Sequence, residues 1–267
     1  MAGDPDADAA TTPTAESLFD LTGAVAVITG GARGIGQAAA RALGRHGASL
    51  VLFDRLREQL EHTTRELCEA GTTTEFVVGD VRSAADLARL TDVAASLGPV
   101  DIVVNSAGVI RRMDIQDMTL EDLDWLWDVN VRGLVAVTQA FLPQMIERRG
   151  GKVINLGSLG SVTGLELRTA YATTKGAVTQ YTVSLAAEVG RYGICVNAVA
   201  PGYVTTDMAG KWINAEPERA AALLARIPLG RFATPADLEG IFAFLGSRAS
   251  DYITGQVFLV DGGWTAT

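Results

Sequence analysis

The chain has 267 residues, of which 48% are apolar and 20% charged, and its formal net charge is -9. This length suits one large α/β domain, with apolar residues enough for a substantial core. The acidic balance and the lack of any basic run exclude a general nucleic-acid binder, and no apolar run is long enough to span a membrane.

The negative charge begins early. Asp4, Asp6, Asp8, Glu16 and Asp20 precede the first Lys or Arg. Residues 1–20 are therefore expected to form a disordered acidic tail, without the basic start and apolar stretch of a secretory signal. Residues 21–267 then alternate strand and helix. Ala24 to Thr29 (A-V-A-V-I-T) has the apolar continuity of a buried strand. Ile35, Ala38, Ala39, Ala42 and Leu43 recur at helical spacing up to His46. Ser49 to Asp54 reads as the second strand and Leu56 to about Ala70 as a polar helix. The third strand begins over Glu75 to Val78, with a helix over about Ala84 to Leu97. Asp101 to Val104 is the fourth.

The spacing predicts one long helix over about Leu120 to Arg149, with its interruption expected at Pro143. Lys152 to Leu156 is the fifth strand, followed by a helix over about Tyr171 to Tyr192. Cys195 to Val199 is the sixth. Shorter helices are expected over Pro217 to Arg226 and Pro235 to Leu245, and Val257 to Val260 is the seventh strand. The alternation predicts a single doubly wound domain with a mainly parallel seven-stranded sheet, the Rossmann arrangement. The stretch Tyr203 to Ala215 reads either as a lid or as a surface loop, within a substrate-loop region of about 203–230.

Cys68 and Cys195 belong to no metal-spaced cluster and read as reduced, buried thiols of a cytoplasmic protein. With only His46 and His62, a histidine-rich metal site or a Ser-His-Asp triad is hard to build. His46, beside Gly47, suits a helix cap.

The first strand runs into T-G-G-A-R-G-I-G, Thr29 to Gly36. Gly30 permits the turn, Gly34 lets backbone approach a pyrophosphate, and Gly36 permits close helix packing. The following helix N-terminus, with Ile35 in its first turn, faces anionic oxygens. Asp54, ending the second strand, suits both hydroxyls of an adenosine ribose and repels the 2'-phosphate of NADP. NAD is therefore the expected cofactor. Arg33 and Arg55 favour NADP if either pairs with that phosphate. Asp80 and Asn105 sit at strand ends, where ligands of open sheets bind, or else they cap turns.

Tyr171 and Lys175 stand one helical turn apart, either as a surface pair or as a phenol whose ionised form an ammonium stabilises. Together these features resemble the classical short-chain dehydrogenase/reductase family over about Leu21 to Trp264. The resemblance rests on Thr29-Gly30, Gly34 and Gly36, on Asp80, and on Asn105-Ser106-Ala107-Gly108, where Ser106 replaces the usual second Asn. It continues through Asn130, Ser158, Tyr171 and Lys175 to Pro201-Gly202 with Thr206. It implies that Tyr171 is the acid/base, that Lys175 lowers its pKa and holds the nicotinamide ribose, and that Ser158 polarises the reacting oxygen. Asn130 is implied to hold a relay water by shaping its helix. Asp80 and Val81 are implied to line the adenine pocket, and Asn105, Ala107 and Gly108 the cofactor channel. Val204 and Thr206 are implied to meet the carboxamide. No metal is implied.

For the substrate, Arg111, Arg112 and Arg168 read either as surface charges or as capture points for a carboxylate. The run A-G-V-I-R-R resembles the sugar-acid branch of the family, the 2-deoxy-D-gluconate 3-dehydrogenase and 2-dehydro-3-deoxy-D-gluconate 5-dehydrogenase group. Arg226-Ile227-Pro228-Leu229-Gly230-Arg231, Ser250 to Gly255 and Val260-Asp261-Gly262-Gly263-Trp264 share that likeness and are expected to serve fold and assembly. The expected substrate is a carboxylated small molecule of that type, with gluconate 5-dehydrogenase a close variant. A 3-oxoacyl-(acyl carrier protein) reductase, an enzyme of small or polyol alcohols, and a non-catalytic dinucleotide sensor or scaffold remain alternatives. The family resemblance also implies a homotetramer.

Overall fold

Val25–Thr29 forms β1, and all five of its residues are buried in the computed structural model, which describes residues 14–205 and 216–267. Along β1, Ala26 and Ile28 join one core while Val25 and Val27 join another. Ser49–Asp54, β2, alternates likewise: Leu50 and Leu52 face the first core, Val51 and Phe53 the second. Period-two alternation with apolar residues on both faces is what a sheet covered on both sides requires.

The remaining strands are β3 (Thr74–Val78), β4 (Val100–Asn105), β5 (Gly151–Leu156), β6 (Ile194–Pro201) and β7 (Val257–Val260). They form one seven-stranded sheet in the order β3-β2-β1-β4-β5-β6-β7, and every neighbouring pair is parallel. The order reverses direction between β1 and β4. That switch opens a crevice at the carboxyl ends of the strands.

Helices cover both faces. On one, α2 (Gly34–Arg45) packs with a helix near the C-terminus, Glu239–Gly246, through Leu43 and Phe242. On the other lie α4 (Ala84–Leu97), α6 (Leu134–Arg148) and α7 (Thr169–Val189), which contribute Leu90, Phe141, Met145, Leu185 and Val189. The polar helix α3 (Arg57–Glu69) buries only Leu60, Thr63, Thr64 and Leu67. Among the described residues, no helix is long and apolar enough to cross a membrane.

Four expectations change. Thr14 caps a short helix, α1 (Ala15–Phe19), inside the segment read as a disordered tail. The Phe19 ring lies 6.0 Å from that of His46, at the C-cap of α2. Residues 1–13, with most of the acidic run, lie outside the described residues, as does 206–215 of the stretch read as a lid or loop.

The long helix is interrupted upstream of Pro143. α5 (Leu120–Trp127) passes into a π-helical turn, Asp128–Gly133, before α6 begins, and α6 runs through an exposed Pro143. Hydrophobic spacing registers a break as a phase shift, and one widened turn shifts the phase too little to show. The helix expected over Pro217 to Arg226 is α8 (Pro217–Leu224), and the one expected from Pro235 starts as a 3-10 turn before α9 (Glu239–Gly246). Finally, Cys68 is exposed on α3, while Cys195 is buried in β6.

Candidate active site

The loop between β1 and α2 brings the chain close to itself. Gly30 has φ +68°, and a Cβ there would lie 2.8 Å from the Ala107 nitrogen. A Cβ on Gly36 would lie 2.1 Å from the Gly30 carbonyl oxygen. Both contacts exclude any side chain and seat the N-terminus of α2 against the end of β4. The Thr29 hydroxyl adds a bond, accepting the Ala107 N–H at 3.2 Å.

A cleft of about 630 Å³ opens above this loop. Gly30, Arg33, Gly34, Ile35, Gly36, Asp54, Arg55, Asp80, Val81, Ala107 and Gly108 all line it. A dinucleotide fits these walls. The turn presents the N–H groups of the first turn of α2, Gly34 to Gly36, where phosphate oxygens are stabilised. Asp54 stands at the end of β2 with Oδ2 accepting the Ala32 N–H at 3.2 Å and Oδ1 the Leu56 N–H at 3.1 Å. Each oxygen retains a lone pair for a ribose hydroxyl. Asp80 already carries Arg82 at 2.7 Å and Arg55 at 3.6 Å, and its carboxyl is held below the usual range, first by the Arg82 hydrogen bond.

Asn105 does not line that cleft. Its side chain is buried and donates to Thr138 Oγ1 and to Asn155 Oδ1, both at 2.9 Å. Asn155 continues the chain to Thr182 Oγ1 on α7 at 2.9 Å. The residue at the strand end therefore ties sheet to helices, a direction of its side chain that strand position alone leaves open. Pro201, Gly202 and Val204 are likewise not among the residues that line the cleft. Gly202 bonds to Val260 at 3.0 Å, and Val204 bridges to Ala233, while their neighbour Thr205 lines the cleft. Thr206 lies outside the described residues.

At the inner end, Leu156 lines the cleft and its carbonyl accepts a hydrogen bond from Lys175 Nζ at 2.6 Å. Lys175 is buried, and burial lowers its pKa to about 8. The ammonium lies 5.9 Å from the Tyr171 ring centroid. Burial pushes the Tyr171 phenol up from its ordinary value, against a hydrogen bond from Ser158 and the charge of Arg168, which pull it down. Loss of solvation disfavours the charged form of both groups, and the groups that pull the phenol down are Ser158 and Arg168, not the expected Lys175.

Five further hydrogen bonds lock this corner. The Ser158 hydroxyl accepts the Gly160 N–H at 3.1 Å, and the Ser161 hydroxyl donates to the Lys175 carbonyl at 3.0 Å. Asn130, in the π turn, accepts the Val109 N–H at 2.8 Å and donates to the Val109 carbonyl and to Thr174 Oγ1 at 2.9 and 3.0 Å. Ser161 and Thr174 carry no motif signature, and only the packing reveals them.

The family model described as enoyl-(acyl carrier protein) reductase matches residues 30–265. Oxidoreductase UcpA of Escherichia coli (strain K12) is 42% identical over 252 residues, covering 92% of this chain and 95% of that protein. The chain belongs to the short-chain dehydrogenase/reductase family. As a member, it is an NAD(P)-dependent oxidoreductase acting on CH-OH groups. Gluconate 5-dehydrogenase of Gluconobacter oxydans (strain 621H) is 37% identical, covering 94% of this chain and 98% of that one. A solved gluconate 5-dehydrogenase from Burkholderia cenocepacia J2315, in complex with NADP and tartrate, superposes with a TM-score of 0.90 at 37% identity, over 95% of this chain and 100% of that one.

The arginines of this dehydrogenase/reductase part company. Arg111 is exposed, ion-paired with Asp122 and stacked 4.6 Å from the Trp125 ring. Arg112 is also exposed at the surface, yet partial loss of solvation and then repulsion from Arg168 hold it below its ordinary pKa. Arg168 is only 6% exposed, and its Nε has no hydrogen-bond partner. No carboxylate among the described residues pairs with it.

Proposed function

We propose that this enzyme interconverts a secondary alcohol and a ketone on a sugar acid, with NAD preferred. The observation that carries the reading is Arg168, a buried guanidinium beside Tyr171 that pairs with no carboxylate among the described residues. An unpaired buried charge is costly unless a ligand completes it, and a substrate carboxylate is the natural complement. Arg112, close enough to repel Arg168, adds a second positive charge to the same end.

The chemistry divides among named groups. A bound nicotinamide supplies the hydride acceptor or donor. Tyr171 takes the hydroxyl proton in oxidation and returns it in reduction. Lys175, on the next turn of α7, holds a positive charge near the phenol and reaches the ribose. Ser158 positions the reacting oxygen. Asn130 joins the Val109 loop to α7 and so keeps the proton-handling groups in register with the cleft. The Asp54 carboxylate supports NAD, because a 2'-phosphate would meet a negative charge. The NADP in the Burkholderia relative makes that preference a point to measure.

Among sugar-acid reactions, the gluconate 5-dehydrogenase relatives support a gluconate-type reaction over the 2-deoxy-D-gluconate type. Tartrate in the solved relative is itself a hydroxy dicarboxylate, in keeping with an acid-binding end. A homotetramer completes the reading, with Val183 on α7 and Leu259 on β7 exposed where interfaces would form.

The test is a panel followed by nicotinamide absorbance. NAD and NADP are each paired with gluconate, 2-deoxygluconate and neutral polyols, with the keto acids and a 3-oxoacyl thioester in reverse. Turnover of gluconate with NAD, and a raised KM for acids only in Arg168→Leu, is the expected result. Turnover of the thioester with NADPH and of no sugar acid would overturn it.

A further inference from the structure

Two motifs outside the proton-handling residues converge beside Arg168. One is Arg226 to Arg231, after α8. The other is Val260 to Trp264, at the end of β7. The Leu229 N–H donates to the Gly262 carbonyl at 3.1 Å. Gly262 and Gly263 have φ of +68° and +92°, and Cβ atoms there would lie 2.7 Å from Ile227 Cγ2 and 2.9 Å from Pro228 Cγ. Glycine is needed at both for backbone and for space.

This close approach seats Trp264. Its ring is buried, with the Arg226 guanidinium 4.0 Å from the centroid on one side and the Tyr203 ring centroid 5.1 Å away. Tyr203 in turn lies 5.5 Å from the Arg168 guanidinium, and Arg168 Nη1 donates to the Tyr203 hydroxyl at 3.4 Å. The order is cation, ring, ring, cation. Aromatic faces attract a guanidinium without neutralising it. A carboxylate in their place would hold Arg168 equally well and cancel its charge.

The backbone beside Arg168 is also constrained. Leu167 has φ +58°, unusual for a residue with a branched side chain, and its carbonyl accepts the Met113 N–H at 2.9 Å. Such a conformation persists only where the surroundings enforce it. Arg168 is thus fixed from its own backbone and from the Tyr203 ring.

We propose that Tyr203 and Trp264 are positioning residues for substrate selection. They hold Arg168 buried and, among the described residues, without a carboxylate, so that it discriminates for a carboxylated substrate over a neutral one. The inference rests on the sugar-acid reading of Arg168 above. It assigns the Arg226 to Arg231 and Val260 to Trp264 motifs a part in selectivity, beyond fold and assembly.

The experiment compares wild type with Tyr203→Leu, Tyr203→Phe, Trp264→Leu and Trp264→Phe. Steady-state kinetics use gluconate and the neutral polyol sorbitol, and NADH binding is followed by fluorescence. Each Leu variant is expected to raise KM for gluconate about tenfold, while kcat, KM for sorbitol and NADH affinity change no more than about twofold. The Phe variants keep a ring and should recover most of the loss. Equal losses on both substrates, or an unchanged KM for gluconate in the Leu variants, would overturn the inference. If wild type does not use sorbitol, the split between KM and kcat on gluconate decides. If Trp264→Leu does not fold, the Tyr203 pair decides alone. Wild type that turns over no sugar acid removes the underlying reading; wild type that prefers gluconate, with Leu variants that keep the preference, removes only this inference.

Discussion

Lys175 Nζ donates to the carbonyl of Leu156 at 2.6 Å, and that same Leu156 forms part of the cofactor cleft wall. The bond joins the middle of α7 to the end of β5. It fixes the ammonium between the cleft and the Tyr171 ring, 5.9 Å from the ring centroid. It also leaves a positive charge in a place that solvent scarcely reaches.

That placement has a measurable cost. Lys175 has an ordinary pKa of 10.5 and a folded value of about 8. The unfolded chain therefore binds the extra proton between those values, and this group's contribution to stability rises with pH across the window. Its penalty is fully present below about pH 8 and amounts to about 3 kcal/mol. Lys175→Met should abolish activity and flatten the rise. The check is urea unfolding of both proteins at several pH values from 7 to about 9.5, below the range where Tyr171 complicates the comparison. A variant with the wild-type slope would show that the ammonium is better solvated than its burial implies.

Tyr171→Phe removes the phenol and retains the ring. Turnover should fall by about a hundredfold or more, the range of a lost general acid/base. NADH affinity, measured by fluorescence titration, should stay near the wild-type value. A variant with most of its turnover would transfer the proton step to another group, Ser158 being the first to examine.

Asp54→Asn keeps one side-chain oxygen for the backbone bonds from Ala32 or Leu56 and removes the charge. The ratio of kcat/KM for NAD over NADP should drop by about tenfold, corresponding to one lost repulsion. An unchanged ratio would shift the discrimination to Arg33 and Arg55.

Asn130→Ala leaves the N–H and carbonyl of Val109 and the Thr174 hydroxyl without their partner. The stability loss should be about 2–4 kcal/mol, since several buried polar groups lose bonds together. The measurement is the unfolding midpoint, with and without saturating NADH. A loss below 1 kcal/mol, by the same scale, would mean that water replaces the amide.

What could be read from the chain was local. Gly30, Gly34 and Gly36 follow a strand and open a helix, and their spacing encodes the turn directly. Asp54 stands at a strand end, and a carboxylate there faces the crevice by topology. Tyr171 and Lys175 share a helix face because their separation is one turn. The sheet was legible for the same reason, as alternation and continuous apolar runs are properties of consecutive residues.

Three other features were not. Asn105 ends its strand as expected, yet its side chain turns inward to Thr138 and Asn155, which belong to segments far along the chain. The helix break fell at Asp128–Gly133 and not at Pro143, because Pro143 is exposed while Asn130 is clamped to Val109 and Thr174. Burial raises Tyr171 although a lysine stands one turn away.

The order of residues was enough to establish a dinucleotide-binding sheet, its glycine turn and a tyrosine-lysine pair, since each depends on neighbours within a few positions. Among three candidate arginines, however, it could not separate Arg111, committed to Asp122 and Trp125, from Arg168, buried with a free Nε. That distinction arises only when α7, the end of β6 and the end of β7 come together, because desolvation and the choice of partner are set by packing between distant segments.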